Sequence, residues 1–573
     1  MSICGIEGNA MKMKNEKGAI FVMSLMVMMI LVMLSSVFIY RAITEKNLSD
    51  RERKLTQALF ISESGANAAL AQLDTLINTD MLTTINGTNP STVSSKASTY
   101  YTNGDGLGFL NEFVKNSGGV AQLTVSGSQA TYTKASTSAG GGTYQYTIYM
   151  TEKSDPIRVA SNIWDFSYNY RINTSGTKSN IPRSLKLSGD FTVRVQKDNF
   201  AKYALFTNAQ TLPDGTNVWF TNKTNFAGPL HTNGRYNIAF NPSGEFDGAV
   251  TQTDSYTRFY NNGSSVNLNS DHNSTIDVPT FHSTFTRGAT AITLSSSVAQ
   301  SDMQNQASGN TTISTNGIYV PNNGTSLTGG IYVRGDGSVS LAVTSGNAVY
   351  TVVQGGTTKT ITVNKTANTT TVTSGASNTT YTGVPNGVDH LGTLIYVQGN
   401  ITSLGGTIQR DTELTISASS DVVIQNNLVY EDYTPASGTP GTGGYTPPDA
   451  TDTTNLLGIV SWSGNVRVGN SAPNNVNIHA SILAKNGYFQ VDNYDSGSPR
   501  GTATVLGGVI SNYYGAFGTF NSSTGAAVSG YGRNFVYDTR MEDHEAPPYF
   551  PTLNTFIAFT NDIADKIAWQ EGG

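Results

Sequence analysis

The chain has 573 residues, of which 13% are charged, with a net charge of −6 and a single cysteine, Cys4. This length exceeds what one ordinary hydrophobic core serves, so several structural units are expected. The acidic balance argues against nucleic acid as a partner, and one cysteine excludes an intramolecular disulfide framework and a structural thiolate metal site.

The first predicted element is an uncharged apolar stretch, Ala19 to Tyr40, which contains neither Pro nor Gly. A helix needs about 20 apolar residues to cross the hydrocarbon core of a bilayer, so this stretch predicts a membrane-spanning helix. A cleaved secretory signal is the alternative. Its apolar region has typically about 7–15 residues and is followed by small residues at the cleavage site. The length therefore favours a retained single-pass anchor, with membrane lipid as a partner.

The next stretch, 41–77, is predicted to continue this helix because it lacks Pro and its apolar or small residues recur every three or four positions. These residues are Leu55, Leu59, Ser62, Ala66, Leu70, Leu73 and Ile77. We expect one helix over 19–77, about 90 Å long at 1.5 Å per residue. Its second half presents this stripe to a folded domain or to a neighbouring helix.

A short basic leader precedes the anchor and ends in Lys17-Gly18, and the sequence Ala58-Leu59-Phe60-Ile61-Ser62-Glu63-Ser64-Gly65-Ala66 follows the anchor. Together these features resemble type IV pilin-like proteins, and among them the PilX-type minor pilins. The resemblance implies cleavage by a prepilin peptidase between Gly18 and Ala19. It also implies an anchor in the inner membrane, an exported body, and packing against other pilin-like subunits. Most pilins carry a Glu five residues into the mature chain, where this sequence has Met23, and PilX-type sequences often lack that Glu.

A linker and a small domain are predicted next. Residues 78–100 are rich in Thr, Ser and Asn, which is typical of a solvated linker. Strand-like runs follow, and they are clearest over 166–196, where Tyr168, Tyr170 and Ile172 alternate with polar residues. We expect an α+β domain over 101–197, similar to that of PilX-type proteins and packed on the stripe of the long helix.

Two groups of residues beyond 197 resemble a family of uncharacterised exported bacterial proteins. Phe226-Ala227-Gly228-Pro229-Leu230-His231-Thr232-Asn233-Gly234 is similar to a GP-x-HTNG feature of that family. Tyr537-Asp538-Thr539-Arg540 and Pro547-Pro548-Tyr549-Phe550-Pro551 also resemble it. The resemblance marks His231, Asn233, Asp538 and Arg540 as candidate functional residues and implies no activity.

Short apolar runs, most of them followed within a few residues by Gly or Asn, recur over 329–530. The last three begin 21 to 27 residues apart, at Leu457, Ile478 and Val505. This spacing is close to one coil of a parallel β-solenoid, in which stacked coils bury each other's apolar faces. We expect a right-handed parallel β-solenoid there, with an inserted hairpin at 336–374, a β-rich connecting region at 198–328 and a C-terminal cap at 531–573. A β-sandwich is the alternative. The predicted fold class is mainly β with a long N-terminal helix.

No catalytic, cofactor or metal site is predicted. The carboxylates that could serve an enzyme are Glu431-Asp432, Asp492, Asp495 and Glu542-Asp543, and none recurs at coil spacing. The histidines lack the HExxH spacing of a zinc site, so we expect structural hydrogen-bonding roles for them. They are His231, His272, His282, His390, His479 and His544. The sequence predicts a non-catalytic pilin-like surface protein of pilus assembly or adhesion. The alternative is a membrane-tethered carbohydrate-active enzyme on a β-solenoid, which converging carboxylates would favour.

Overall fold

The computed structural model describes residues 12–572, except 161, 222–223, 240–241, 243, 262, 272–275, 295–296, 441–443, 522–525, 561–562 and 564–567. Residues 1–11 of the predicted leader, with Cys4, and His272 lie outside the described residues. The chain is mainly β, with one long amino-terminal helix, as the sequence predicts. Its buried apolar side chains form two clusters, one from residues 66–195 and 556–563 and the other from residues 200–553.

The described residues contain five α-helices, α1 to α5, and a π-helical segment, Thr75–Met81, connects α1 to α2. Their bounds are Lys12–Asp74, Leu82–Gly87, Pro90–Asn103, Gly106–Phe113 and Ser297–Ser308. Helix α1 has 63 residues, which makes it about 95 Å long at 1.5 Å per residue. The apolar amino-terminal part of α1 is long enough to cross a membrane. None of its most apolar segment is buried against the rest of the chain. This part of α1 is compatible with a single-pass membrane anchor.

The strands fall into an amino-terminal group, a middle group and a carboxyl-terminal group. The strands β1 to β6 are Thr124–Ser126, Gln129–Ala139, Gly142–Glu152, Ile157–Ala160, Ile163–Lys178 and Ile181–Asn199. The strands β7 to β16 are Leu205–Ala209, Trp219–Phe220, Leu230–Thr232, Asn237–Ala239, Glu245–Phe246, Val250–Gln252, Thr257–Asn261, Ser264–Leu268, Thr280–Phe281 and Phe285–Thr286. The strands β17 to β27 are Gly317–Tyr319, Ile331–Arg334, Gly337–Thr344, Asn347–Gln354, Thr357–Asn364, Thr369–Ser374, Ser377–Thr382, Thr393–Gln398, Ile401–Ile408, Glu413–Ala418 and Val422–Tyr430. The strands β28 to β38 are Leu456–Ser461, Val466–Val468, Asn477–His479, Ser481–Ala484, Phe489–Val491, Pro499–Leu506, Val509–Tyr513, Gly518–Phe520, Ala527–Val536, Thr552–Thr560 and Ala568–Gly572.

The segment 78–100 corrects the prediction of a solvated linker, because it is largely helical. Asn89 caps α3, its side chain accepting a hydrogen bond from Ser91 N at 3.0 Å, and Pro90 occupies the first helical turn. Four apolar side chains of the segment are fully buried: Met81, Ile85, Val93 and Ala97. The first two and the last two are each spaced by four residues, so each pair lies on one helical face. Composition suggested a loop, whereas these few apolar positions are enough to pack the segment.

The first cluster is built on an eight-stranded antiparallel sheet in the order β1-β2-β3-β5-β6-β37, with β4 beside β5 and β38 beside β6. Helix α1 packs on β3, β5 and β6, and the predicted stripe is buried or half-buried there. Strands β37 and β38 correct the prediction that residues 531–573 form a cap. Both pair with the 19-residue strand β6. Without them, the backbone N–H and C=O groups along the outer edge of β6 would be unpaired.

Two glycines allow α1 to lie close to this sheet. A Cβ at Gly176 on β5 would be 2.3 Å from Ser62 N and 2.5 Å from Ala58 O on the helix. A Cβ at Gly65 on the helix would be 2.5 Å from Thr174 Oγ1. The small residues of the sequence from Ala58 to Ala66 therefore lie at the contact between helix and sheet, which gives that sequence a packing role.

The second cluster lies between two large sheets. One has eleven strands in the order β16-β12-β9-β7-β34-β31-β28-β26-β24-β18-β17, and all neighbours are parallel except β17 and β18. The other contains the parallel series β19-β25-β27-β30-β33-β36. The chain alternates between the two sheets from β24 to β28, one strand at a time.

Apolar side chains stack in register across the eleven-stranded sheet. One row crosses ten strands, and its members pair residue by residue: Ile331, Ile395, Ile416, Ile459, Ile482, Val509, Leu205, Leu230, Val250 and Phe285. All but Phe285 are buried. Each strand thus covers the apolar face of the next.

Two further details differ from the prediction. The boundary at 328–329 does not separate two cores, because β7, β9, β12 and β16 from the connecting region extend the same sheet as β24, β26, β28, β31 and β34. The inserted hairpin is a five-stranded antiparallel meander, β19 to β23, which adds to the edge of the other sheet. The first detail follows from pairing between strands that are distant in sequence, and the second from pairing between consecutive strands.

Candidate functional site

The predicted cleavage position lies in α1. Gly18 and Ala19 are exposed, and Gly18 has open space where a Cβ would be. The geometry leaves the peptide bond between them sterically accessible to a peptidase.

His231 lies on β9 and is almost fully buried, with its ring stacked 5.2 Å from that of Phe206 on the neighbouring strand β7. Its Nδ1 lies 2.7 Å from Thr251 Oγ1, and its Nε2 lies 2.9 Å from Asn233 Oδ1. An amide oxygen only accepts, so Nε2 carries the proton, and the single proton of the Thr251 hydroxyl lies within reach of both Nδ1 and Leu230 O, the latter 3.1 Å away. Burial lowers the pKa of His231, with a smaller opposing effect of the bond to Asn233. The neutral ring is therefore a fixed hydrogen-bonding bridge between β9 and β12.

Asn233 connects this histidine to the neighbouring chain segments. Its Oδ1 accepts from Ile292 N at 2.8 Å, and its Nδ2 donates to Ile292 O at 2.7 Å and to Asn208 Oδ1 at 3.0 Å. The side chain thus holds segment 291–294 against β9 as a strand partner would. His231 and Asn233, which the sequence marked as candidates, belong to one network.

An asparagine ladder continues from Asn233 across two more parallel strands. Asn208 Nδ2 donates to Asn512 Oδ1 at 2.9 Å, and Asn512 Nδ2 donates to Asn486 O at 3.3 Å. The ladder forms because these positions are adjacent when β9, β7 and β34 pair in register. Such amide ladders are typical of stacked parallel strands.

Two adjoining cavities open beside the ladder and share Asn208 and Asn233; we call them together the amide cleft. The smaller, of about 370 Å³, is lined by Asn208, Asn233, Ala291, Ile292, Thr293, Leu294, Lys485, Asn486 and Asn512. The larger, of about 550 Å³, is lined by Asn208, Ala209, Gln210, Thr211, Asn217, Asn233, Gly234, Arg235, Asn237, Thr253 and Asp254. Both volumes fall in the usual range of small-molecule sites, and Asn and Gln are together the most frequent lining residues.

Asp538 and Arg540 form a second, separate site just after β36. Arg540 Nη2 lies 2.6 Å from Asp538 Oδ2, and both side chains are almost fully buried. Arg540 Nη1 also donates to Thr453 O at 3.0 Å and to Asn455 O at 2.8 Å. Burial disfavours the charged guanidinium, but the hydrogen bonds and charge of Asp538 outweigh it, so the pKa of Arg540 is raised. The pair ties the chain after β36 to the segment that leads into β28.

The structure does not bring the two groups of candidate residues, His231 with Asn233 and Asp538 with Arg540, into one site. Arg540 contacts Asp538, Thr453 and Asn455, whereas His231 contacts Asn233 and Thr251. The two family-like strings do meet at another point, where a Cβ at Gly228 would lie 2.4 Å from the ring of Tyr537. Gly228 therefore makes room for Tyr537, whose hydroxyl donates to Lys202 O at 2.8 Å.

The candidate carboxylates are spread over the fold. Asp492 shares Arg467 with Asp421, at 2.8 and 3.2 Å, and Glu431 lies 3.6 Å from Arg410. Asp432 accepts from Asn455 at 3.0 Å. Asp495 and Glu542 are exposed, and the side chain of Asp543 is not among those that the structure describes. Within the described ranges, no three His, Cys, Asp or Glu side chains are grouped to hold a metal ion.

The other described histidines have individual partners. His479 is buried, and its Nδ1 accepts from Tyr430 N at 3.2 Å. His390 Nδ1 lies 2.9 Å from Asn386 Oδ1, and His282 Nε2 lies 3.7 Å from Asp247 Oδ1. The ring of His544 stacks 5.2 Å from Phe559.

The sequence marked His231 and Asn233 but missed the other members of the amide cleft. A signal was present: Thr207-Asn208, Thr232-Asn233 and Ser511-Asn512 each place a hydroxyl residue and an asparagine after apolar strand residues. The repeated pair is informative only once the three strands are known to be neighbours.

Comparison with known proteins gives one match. A family model described as "Domain of unknown function (DUF4900)" matches residues 165–254, which run from β5 through β12 and include His231 and Asn233. No curated protein and no solved structure matches the chain. The matched stretch is similar to that family.

Proposed function

We propose that this chain is a non-catalytic, membrane-anchored surface protein of the PilX-type minor pilin kind, acting in type IV pilus-type assembly or in adhesion. The observation that carries the proposal is the division of α1 into two parts. Its first part exposes apolar side chains such as Phe21, Met26 and Phe38, each more than 60% exposed, while its second part packs on an antiparallel sheet.

The exposed part of α1 needs an apolar environment. A row of exposed Ile, Leu, Met, Val and Phe side chains over about 20 residues is unfavourable in water and matches the thickness of a bilayer. Lipid or the helices of other pilin-like subunits would cover it. In this proposal α1 is held in the inner membrane, and the body behind it is exported and displayed.

The body is proposed to be a right-handed parallel β-solenoid. Parallel pairing between strands of successive turns and the ten-strand apolar row support this architecture. Crossovers between parallel strands are almost always right-handed. A β-sandwich would instead pair its sequential strands mainly antiparallel. A stiff extension of this kind suits a displayed binding surface.

The amino-terminal mass of the membrane-bound protein tests the proposal. The full chain is expressed with and without a prepilin peptidase, and the membrane fraction is analysed by mass spectrometry. We expect Ala19 as the first residue only when the peptidase is present. Gly18→Val should block the cleavage, whereas Gly8→Val, the same change elsewhere in the leader, should leave it intact.

Two outcomes would contradict the proposal. One is an amino end other than Ala19 in the presence of the peptidase. The other is recovery of the uncleaved chain from the cytosol rather than the membrane fraction.

A further inference from the structure

We propose that the amide cleft binds an uncharged glycan and recognises its acetamido and hydroxyl groups. This proposal adds a ligand to the proposed surface display, and it does not depend on how the chain is anchored. The cleft lies beside Asn208 and Asn233, which both cavities share. It is formed by ordered strands and by segment 291–294, which Asn233 holds in place.

The ladder amides are held in position before any ligand arrives, and they keep free hydrogen-bonding capacity. An amide side chain has two N–H donors and an oxygen that accepts two hydrogen bonds. Asn208 uses one N–H towards Asn512 and one acceptor position towards Asn233. Asn208 is exposed at the cleft. It can therefore donate to and accept from a ligand without leaving the ladder, which reduces the entropic cost of binding.

Gln210 and Asn237, which line the larger cavity, are 1% and 2% exposed. Within the described part of the chain, Gln210 Nε2 and Asn237 Oδ1 have no hydrogen-bond partner, and both atoms are buried away from the surface of the cavity. The polar contacts to a ligand therefore come from exposed amides such as Asn208. An acetamido group is complementary to such an amide, because its carbonyl accepts and its N–H donates.

The charges of the cleft favour an uncharged ligand. Arg235 lies 4.0 Å from Asp254, so these two charges offset each other. Lys485 lies over the ring of Trp462, with Nζ 5.8 Å from the ring centre. The remaining lining is amide, hydroxyl and apolar. A polyanion would meet only one unbalanced cation.

The same surroundings favour a glycan over an extended peptide. Half-exposed Ile292 and Leu294 give the smaller cavity an apolar side, suited to the C–H face of a sugar ring or to an acetyl methyl. Peptides commonly bind by adding a strand to an open sheet edge. At the cleft β7 lies between β34 and β9, and β9 lies between β7 and β12. Those backbone groups are already paired.

Calorimetric titration with two matched sugars tests the proposal. The full chain is kept in a zwitterionic detergent that has no sugar headgroup. The ligands are the β-1,4-linked hexamer of N-acetylglucosamine and cellohexaose, which has the same linkage without acetamido groups. We expect the acetylated hexamer to bind and cellohexaose to bind at least about tenfold more weakly, as losing a recognised polar group implies.

Two asparagine variants locate the binding. Asn208→Ala should weaken binding of the acetylated hexamer by roughly threefold to tenfold, the effect of about one lost hydrogen bond. Asn378→Ala, at an exposed asparagine of β23, should leave it unchanged. Both positions are exposed, so both variants should fold, and matching circular dichroism spectra would check this.

The result is decisive in either direction. The proposal is overturned if the acetylated hexamer gives no heat up to about 1 mM, if cellohexaose binds equally well, or if Asn208→Ala has no effect. Tighter binding of an uncharged alanine-serine hexapeptide would also overturn it and would assign the cleft to peptides. Binding measured in uncleaved protein would leave the glycan site standing even if the pilin assignment failed.

Discussion

Replacing Arg540 by methionine should destabilise the region around β28 more than any comparable surface change. The substitution keeps the length of the side chain but removes its charge, leaving the Asp538 carboxylate buried with no cation. It also strips the carbonyls of Thr453 and Asn455 of donors at 3.0 and 2.8 Å. Removing one partner of a buried ion pair costs about 3–5 kcal/mol. The two lost carbonyl bonds place the expected cost in the upper part of that range.

Hydrogen exchange followed by mass spectrometry is the suitable assay, because a chain with two cores does not unfold in one step. Peptides that cover residues 453–461 should exchange roughly a hundredfold faster or more in Arg540→Met, since each 1.4 kcal/mol corresponds to about tenfold. Arg410→Met is the matched control. Arg410 is 61% exposed and lies 3.6 Å from Glu431, and such surface pairs contribute about 0–1 kcal/mol.

An unchanged exchange rate in Arg540→Met, or an equal effect in the control, would refute the reasoning. The first outcome would mean that Asp538 finds water or another cation. A double variant that also carries Asp538→Asn should recover part of the lost protection, because no unpaired buried charge remains. Failure to recover any protection would show that the carbonyl contacts, rather than the ion pair, carry the stability.

Two further predictions concern single buried groups. Burial and the nearby charge of Arg540 lower the pKa of His479 to about 3. As the pH falls, His479 is therefore protonated in the unfolded chain before it is protonated in the folded chain. The free energy of unfolding should fall by about 1.4 kcal/mol per pH unit below about pH 6.5 and stay constant above it. Hydrogen exchange of peptides that cover β30, corrected for the intrinsic pH dependence of exchange, checks this between pH 7.5 and pH 5.5, and a His479→Gln variant with the same slope would contradict it. Gly228→Ala should lower stability by about 1–3 kcal/mol, since its Cβ would overlap the ring of Tyr537, whereas Gly87→Ala, with nothing within 4 Å, should not. Equal exchange rates around Tyr537 in the two variants would exclude the overlap.

Features that depend on nearby residues were predictable. The apolar stretch from Ala19 to Tyr40 and the stripe over 55–77 follow from composition and from a spacing of three to four residues, which helical geometry alone requires. The short strand that begins near Leu457 was also predicted correctly, because a β-branched run followed by Gly or Asn carries its own signal.

Predictions failed where few residues meet a distant surface. The segment 78–100 is mostly polar, yet Met81, Ile85, Val93 and Ala97 are enough to bury it. The pairing of β37 and β38 with β6 joins residues more than 350 positions apart. Neither strand's sequence indicates which edge it will occupy.

The candidate site shows the same division. By itself the sequence determined the long apolar amino-terminal helix, the mainly β character of the body, and the choice of His231, Asn233, Asp538 and Arg540 as candidate residues. Only the tertiary structure decided that His231 and Asn233 join Asn208 and Asn512 beside a cleft, while Asp538 and Arg540 form a separate site. The reason is that parallel pairing brings side chains together by register between strands, and register depends on the packing of the whole sheet rather than on any one segment.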